Sequence, residues 1–390
     1  SSKKKLKILS NILKRNKTDL LFVSAAENLA WLLNIRGRDS DYSPIPNSYL
    51  FVDKNQNVYL FCKKGQIGKK LIKKIGNNVK FVDINYLKKF ILKIKNKKVY
   101  LDSLSCSIFY KNILKKNNNI IDQQDPIYSL KSIKNKTEIA NIKKAHVIDG
   151  VALTKFLIWL KNNYNKKKIT EISAQEKLLK FRKKNKQFKF LSFPTISGTG
   201  PNSSIIHYKA SKKSNRILKK GDLYLVDSGG QYNFGTTDVT RTLSLENGKK
   251  RIKEIFTRVL KGHIAVSNYK LKKNSFGSKI DSEARKSLKK INLDYPHSTG
   301  HGVGYFLNVH EGPQALSRVN KIKLKEGMVL SNEPGYYKNG KFGIRIENLI
   351  TIKKLKNKLK FEDLTLAPID KNLINKKLLN KEEIKWLNNY

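Results

Sequence analysis

The sequence predicts a two-domain chain, an α/β domain followed by an α+β domain. Its 390 residues exceed what one hydrophobic core usually holds. Residues 1 to about 125 alternate short β-rich runs with helical ones, the pattern of an α/β sandwich. After them come two long helical stretches, and from Ser192 glycine-punctuated β-sequence broken by two more helices, the pattern of an α+β domain.

In the first block "DLLFVS", Asp19 to Ser24, reads as a strand and "AAENLAWLLN" as a helix. "SYLFVDKNQNVYLFC" reads as a hairpin turning at Lys54 to Asn57. A helix near Gly65 to Ile75, a strand "VKFVDI", a helix near Tyr86 to Lys95, a strand "KVYLD" and a helix near Cys106 to Lys115 follow. Asn117 to Asn119 and Asp122 to Pro126 are polar and turn-prone, which ends the first domain at residue 126 and gives the second residues 127–368, with 369–390 as the start of a C-terminal extension. Within the second block, Ile139, Ile142, Ala145, Val147, Ala152, Phe156 and Trp159 recur at helical spacing from Thr137 to Asn163. A second helix runs from Thr170, its N-cap, to Lys184, and two more lie near Lys250 to Tyr269 and Lys279 to Lys290.

Lysine and arginine outnumber aspartate and glutamate by 81 to 30, a formal charge of +51. Such a charge ordinarily raises nucleic acid or an anionic membrane as partner. Here the lysines recur through nearly every segment with asparagine and isoleucine, as in "LKKFILKIKNKKVY", and spread over all exposed faces instead of forming a groove. The reading is a solvated surface with no specific nucleic-acid partner. Cys62 and Cys106 cannot make a disulfide framework and fit a reducing, cytoplasmic setting. No apolar run reaches the roughly 18 residues of a membrane span. The chain opens Ser1-Ser2 without a methionine, so it is expected to be a piece of a longer protein whose upstream signals cannot be read.

Against so basic a background, two hairpins carry carboxylates in apolar sequence. In "DLYLVDSGGQYNFGTTDVTRTLSL" the midpoint between Asp227 and Asp238 falls between Tyr232 and Asn233, which places the two aspartates opposite one another. In "VLSNEPGYYKNGKFGIRIENLI" the Asn339-Gly340 turn leaves Glu333 and Glu347 equidistant from Gly340. Like charges facing across a strand pair destabilise it unless a cation joins them. Of six histidines, His297, His301 and His310 crowd into "HSTGHGVGYFLNVH" and His207 sits in "IIHYKA"; glycines 300, 302 and 304 permit close backbone approach around His301. His146 and His263 lie in lysine-rich helices and are read as structural. Four carboxylates and one imidazole, Asp227, Asp238, His301, Glu333 and Glu347, form an oxygen-rich set suited to manganese, with cobalt or zinc competing. Four negative charges balance two divalent ions, so a two-metal centre activating a shared water is expected, with Glu333 as proton shuttle.

At these residues the sequence resembles the pita-bread metallopeptidases, whose ligand order Asp, Asp, His, Glu, Glu maps onto Asp227, Asp238, His301, Glu333 and Glu347. Within that family "LSFPTISGTGPNSSIIHY", "DSGGQYNFGTTDVTRT", "GHGVGYFLNVHEGP" and "EPGYYKNGKFGIRIENL" look like the large aminopeptidase P group, and "LAWLLNIRGRDSDYSPIPNSYLFV" looks like its middle domain. The resemblance implies a creatinase/prolidase-like α/β domain before a pita-bread catalytic domain. It implies two divalent metal ions, hydrolysis of the N-terminal Xaa-Pro bond of peptides, dimerisation, and a further N-terminal domain and C-terminal end beyond this chain. It makes His207 and His310 candidates to bind substrate and polarise its carbonyl, His297 a residue near the proline side, and Arg345 and Tyr337 candidate substrate-binding or supporting groups. Ser298 stands where the family more often has glycine, an exchange expected to tune local backbone freedom. The rivals are a prolidase, which would need a cation to capture a dipeptide's carboxylate, and a non-catalytic binding module, which the full ligand set disfavours.

Overall fold

The computed structural model describes residues 1–76 and 78–390, Lys69 by its backbone alone, and divides into two compact units, Ser1–Lys131 and Ser132–Tyr390. In the first unit the described residues form a six-stranded sheet, in spatial order Val79–Asp83, Val58–Cys62, Tyr49–Asp53, Leu20–Val23, Lys98–Leu101 and Asn119–Asp122. Alternation sorts its side chains onto two faces. Leu21, Val23, Leu50, Val52, Val58 and Leu60 pack one face against Leu6, Leu9, Leu13, Leu29 and Leu32 of two helices. Phe22, Phe51, Phe61, Val99 and Leu101 pack the other against Leu87, Ile91 and Leu114. Both faces are covered, as an α/β sandwich requires.

Three elements of this unit were not read from sequence, among them the short helix Pro126–Ser132. The helix Ser2–Arg15 is lysine-rich, but Leu6, Leu9 and Leu13 recur at helical spacing and are its buried stripe. The edge strand Asn119–Asp122 corrects the turn-prone reading of that stretch: Ile120 and Ile121 pair in parallel with Val99 and Tyr100.

The second unit uses a helix pair followed by hairpins twice. Helices Lys136–Asn163 and Glu171–Lys183 precede strands Ile196–Thr199, Leu223–Ser228 and Val239–Ser244, which form one three-stranded sheet. Both helices open on capping boxes, Asn135 with Glu138 and Thr170 with Ser173. Leu153, Phe156, Leu157 and Leu160 meet Tyr224, Val226, Val239 and Leu243 between these layers. Helices Lys250–Ser267 and Gly277–Lys289 then precede a five-stranded sheet ordered Glu311–Leu316, Gly300–Gly302, Val329–Asn332, Asn348–Leu355 and Lys358–Asp363. Among the described residues no helix is long and apolar enough to cross a membrane.

Register decides where the carboxylates fall. In the second hairpin Asn332 pairs with Asn348 and Gly335 with Arg345, so Glu333 and Glu347 share the expected register, with Gly340 at φ +65° in the turn. The first hairpin differs from expectation. Tyr232 pairs with Gly235, so the turn centres on Asn233-Phe234, and Asp227 pairs with Thr240 instead of Asp238. Asp238 precedes the strand Val239–Ser244 by one residue and alternates onto the face of Thr240, a diagonal neighbour of Asp227. The midpoint argument assumed that the carboxylates flank the turn symmetrically; the turn lies one residue further on.

Candidate active site

Three of the four carboxylates stand where ladders break. Asp238 lies between the pairs Gln231–Thr236 and Ser228–Val239, and Glu333 and Glu347 lie between the pairs Asn332–Asn348 and Gly335–Arg345. At those breaks the backbone bonds outside its own hairpin. Glu347 N–H donates to Thr240 O (3.2 Å) and Glu333 N–H to Thr299 O (2.8 Å), stitching the two hairpins and the histidine strand together. The close approach around His301 is real: a Cβ on Gly300 would fall 1.9 Å from Ser331 O and one on Gly302 2.1 Å from Glu311 O.

The five expected ligands converge. Asp238, His301 and Glu347 each offer an atom within 4.8 Å of the other two. His301 Nε2 stands 3.5 Å from Asp238 Oδ2 and 3.4 Å from Glu333 Oε1, while Nδ1–H donates to Gly302 O (2.9 Å) and so turns Nε2 inward. Hydrogen bonds orient the carboxylates: Thr240 Oγ1 donates to Glu347 Oε2 (2.7 Å), Ser331 Oγ to Glu333 Oε1 (2.9 Å), and Arg345 Nη2 to Asp227 Oδ2 (2.7 Å). Asp227 Oδ1 is buried without a hydrogen-bond partner. Burial first, and then the neighbouring carboxylates, hold Asp238 and Glu347 well above the usual carboxylate range; burial likewise raises Glu333. Carboxylates crowded and desolvated in this way, one oxygen orphaned, are what a cation site presents, and the residues fit divalent ions held by oxygen donors and one imidazole.

A cleft of about 520 Å³ opens over this cluster. All five of these residues, with His207, His297, His310 and Arg345, line it, and Phe193, Pro194, Ile196 and Ile206 give it an apolar wall. His310 opens onto the cleft but is crowded on its inner side, where its ring meets that of His301 edge-on at 4.2 Å; loss of solvent, then the charge of His301, pushes it down to about 4 and leaves it neutral at pH 7. His207 is exposed at the rim. His297 has both nitrogens engaged by the protein: Nδ1–H donates to Ser298 O (2.8 Å), and Nε2 accepts from the Tyr337 hydroxyl (2.9 Å). Burial first, and then Arg345, pushes it to about 4, so it offers a neutral ring instead of a free proton. Tyr337 is not among the residues lining the cleft; it lies behind, taking a hydrogen bond from Arg345 Nη1 (2.6 Å). Arg345 Nε also donates to Thr240 Oγ1 (3.1 Å), joining Asp227, Thr240 and Tyr337 in one network.

Sequence reasoning missed several supports. Buried Arg241 spends its guanidinium on Thr240 O, Glu347 O, Ala367 O, Pro368 O, Asn348 Oδ1 and Tyr390 Oη, tying both ligand hairpins to the chain's last residues. An arginine as the one charge in the strand-like run "VTRTLSL" was the available signal. Glu171 is fully buried and accepts from Thr199 N, Arg216 N, Tyr208 Oη and Asn202 Nδ2, anchoring the loop that carries His207.

Duplicated helix pairs and hairpins thus enclose a carboxylate-rich site, suited to divalent cations, under the cleft. Residues 140–354 match the model of metallopeptidase family M24, residues 1–138 the creatinase/prolidase N-terminal domain, and residues 357–390 the C-terminal region of peptidase M24. The chain belongs to metallopeptidase family M24. It is 40% identical to a probable Xaa-Pro aminopeptidase P of Laccaria bicolor over 99% of its own length and 62% of that protein's. It is 39% identical to Xaa-Pro aminopeptidase 1 of Dictyostelium discoideum, covering 64% of it. Among solved structures it is similar to the X-prolyl aminopeptidase from Caenorhabditis elegans, described as a cytosolic enzyme with a di-nuclear active site, at TM-score 0.93 and 34% identity, over 100% of this chain and 66% of that one. The prolidase from Pyrococcus furiosus is similar at TM-score 0.74 and 25% identity over 92% of this chain. The chain thus spans less than two thirds of the length of the two curated relatives.

Proposed function

We propose that this chain carries the catalytic site of a metal-dependent aminopeptidase that releases the N-terminal residue from peptides with proline second. The observation that carries the reading is the cluster of four carboxylates and one imidazole beneath a half-apolar cleft. Similarity to X-prolyl aminopeptidases over the whole chain supports the proline preference. Asp227, Asp238, His301, Glu333 and Glu347 hold two divalent ions, manganese best suited to so many oxygen donors and cobalt or zinc as alternatives. When bound, such ions would supply Lewis acidity to the scissile carbonyl and would lower the pKa of a bound water. Glu333 takes the proton of the attacking water and returns it to the departing proline nitrogen. Neutral His310 donates an N–H to the carbonyl oxygen as it gains charge, and His207 fixes the peptide at the rim. His297, with both nitrogens occupied, packs its ring against the proline. Arg345, donating to its carboxylate, aims Asp227.

A second reading, hydrolysis of Xaa-Pro dipeptides, is favoured by one observation. Lys209 lines the cleft next to His207 and Tyr208 and is exposed, a cation placed to meet a free carboxylate. The test measures hydrolysis of Xaa-Pro-Xaa tripeptides, their C-terminal amides and Xaa-Pro dipeptides after reconstitution with manganese, with Asp227→Asn and chelator-treated protein as controls. Faster tripeptide cleavage, insensitive to amidation and lost in both controls, supports the aminopeptidase. Dipeptide preference that disappears in Lys209→Ala supports the dipeptidase. Cleavage of neither by protein that has bound manganese overturns both.

A further inference from the structure

Behind the ligand cluster, on the side away from the cleft, lies a second and much smaller space. It measures about 10 Å³ and is walled by His146 and Asp149 of the helix Lys136–Asn163, by Thr237 and Asp238 of the first hairpin, and by Thr365. These residues are each at most 4% exposed, so the walls of the space are buried. Asp238 borders both this space and the cleft. Gly150 helps close it: a Cβ there would fall 2.4 Å from Leu366 O, so only glycine lets the segment carrying Thr365 lie against the helix.

The lining leaves one polar demand unmet. His146 Nδ1 stands 2.8 Å from Ile142 O and must donate to it, so Nε2 carries a lone pair, and Nε2 is buried without a hydrogen-bond partner. Asp149 already has partners for both oxygens, Arg182 Nε (2.7 Å) and the Tyr232 hydroxyl (2.7 Å) on Oδ1 and Arg182 Nη2 (2.9 Å) on Oδ2, whereas His146 Nε2 has none. Thr365 Oγ1 accepts from Leu349 N (2.9 Å), which leaves its own hydrogen to donate. A space of roughly one probe sphere with two to four polar partners is what a single buried water needs.

We infer that one water molecule occupies this cavity and that His146, through it, positions the Asp238 carboxylate from behind. The water accepts from Thr365, donates one hydrogen to His146 Nε2 and the other to Asp238, and so satisfies the orphaned imidazole nitrogen and steers Asp238 toward the cleft in one arrangement. His146 is thereby a positioning residue, and its ligand is a neutral donor of water's size. The water stands on the cavity and the orphaned nitrogen alone, whereas the effect on Asp238 rests on the metal-site reading.

The test has two parts. A crystal structure of the wild-type protein, at a resolution that shows ordered waters, should hold a single peak within hydrogen-bond distance of both His146 Nε2 and Asp238; an empty cavity overturns the inference whether or not metal is bound. Calorimetric titration with manganese then separates positioning from packing. His146→Leu, which fills the same volume without an acceptor, should lower manganese affinity by about 10-fold or more, the usual scale for a lost partner of a metal ligand. His146→Gln, which keeps a polar group facing the water, should stay within about 3-fold of wild type on the same scale. Equal affinities for folded wild type and His146→Leu, or equal losses in both variants, overturn the positioning role. Wild-type protein that binds no manganese would sink the proposed function and the positioning role together, while the crystallographic peak would still decide the water.

Discussion

Replacing Glu171 by glutamine changes one atom of a side chain that never touches the cleft, and it should unsettle the loop that carries His207. The carboxylate is fully buried, and the groups that hold it are hydrogen-bond donors. Oε1 accepts from Thr199 N (2.8 Å) and Asn202 Nδ2 (3.1 Å), and Oε2 from Tyr208 Oη (2.8 Å), Arg216 N (3.0 Å) and Asn202 Nδ2 (3.0 Å). Asn202 and Tyr208 can turn to Ser214 O, which both already reach, but the two backbone donors are fixed. An amide must point its NH₂ at one of them. The loss is one charge-assisted hydrogen bond, about 1.5–3 kcal/mol, plus a buried N–H facing another donor, for a total of about 3 kcal/mol. At about 2–4 °C per kcal/mol for a domain of this size, Tm should fall by roughly 6–12 °C. KM for an Xaa-Pro-Xaa peptide should rise, because Tyr208 neighbours His207. Thermal unfolding and steady-state kinetics measure both; a Glu171→Gln protein melting within about 1 °C of wild type with unchanged KM would refute the reasoning, since donor counting in a buried site would then have failed.

Burial pushes Asp125 up to about 6 from 3.8, so ionising it costs the fold: its contribution is neutral below about pH 4, turns unfavourable as pH rises to about 6, and totals about 3 kcal/mol above that. Asp125→Asn keeps the acceptor for Ile127 N and, with Asn28 rotated, meets the buried and unpartnered Asn28 Oδ1. Urea unfolding should therefore find the variant more stable by about 3 kcal/mol at pH 7.5 and no more stable at pH 4; a gap independent of pH counts against it. Arg182→Met strands the buried Asp149 carboxylate and should cost about 3–5 kcal/mol by urea unfolding, most of it recovered in the double variant with Asp149→Leu. Arg345→Lys keeps a charge for Asp227 but loses the reach to Thr240 and Tyr337, and calorimetry should show manganese binding weakened about 10–100-fold.

Most elements were readable because their causes are short-range. Short runs rich in apolar and aromatic residues marked strands of the first unit, and Thr170 announced its helix through a hydroxyl three residues from its target, Ser173 N. The Asn339-Gly340 turn fixed a register that put Glu333 opposite Glu347. The first hairpin has no such turn pair, and its register came out displaced, with Asp227 on Thr240. The helix Ser2–Arg15 was overlooked although its leucine stripe was present, because lysines dominate the segment.

The sequence alone determined the residue types at the site: acidic side chains in apolar strands of a basic chain need a cation, and histidine among glycines can approach one. Only the tertiary structure decided what each residue is free to do. His297 was placed near the proline side, and only the structure shows both of its nitrogens engaged, by Ser298 and Tyr337. His146 looked inert until it proved to stand behind Asp238. Glu171 and Arg241 matter through partners 28 to 45 and 1 to 149 residues away. Turn and periodicity signals act over a few residues, whereas the satisfaction of a buried polar group depends on whichever distant segments the fold packs against it.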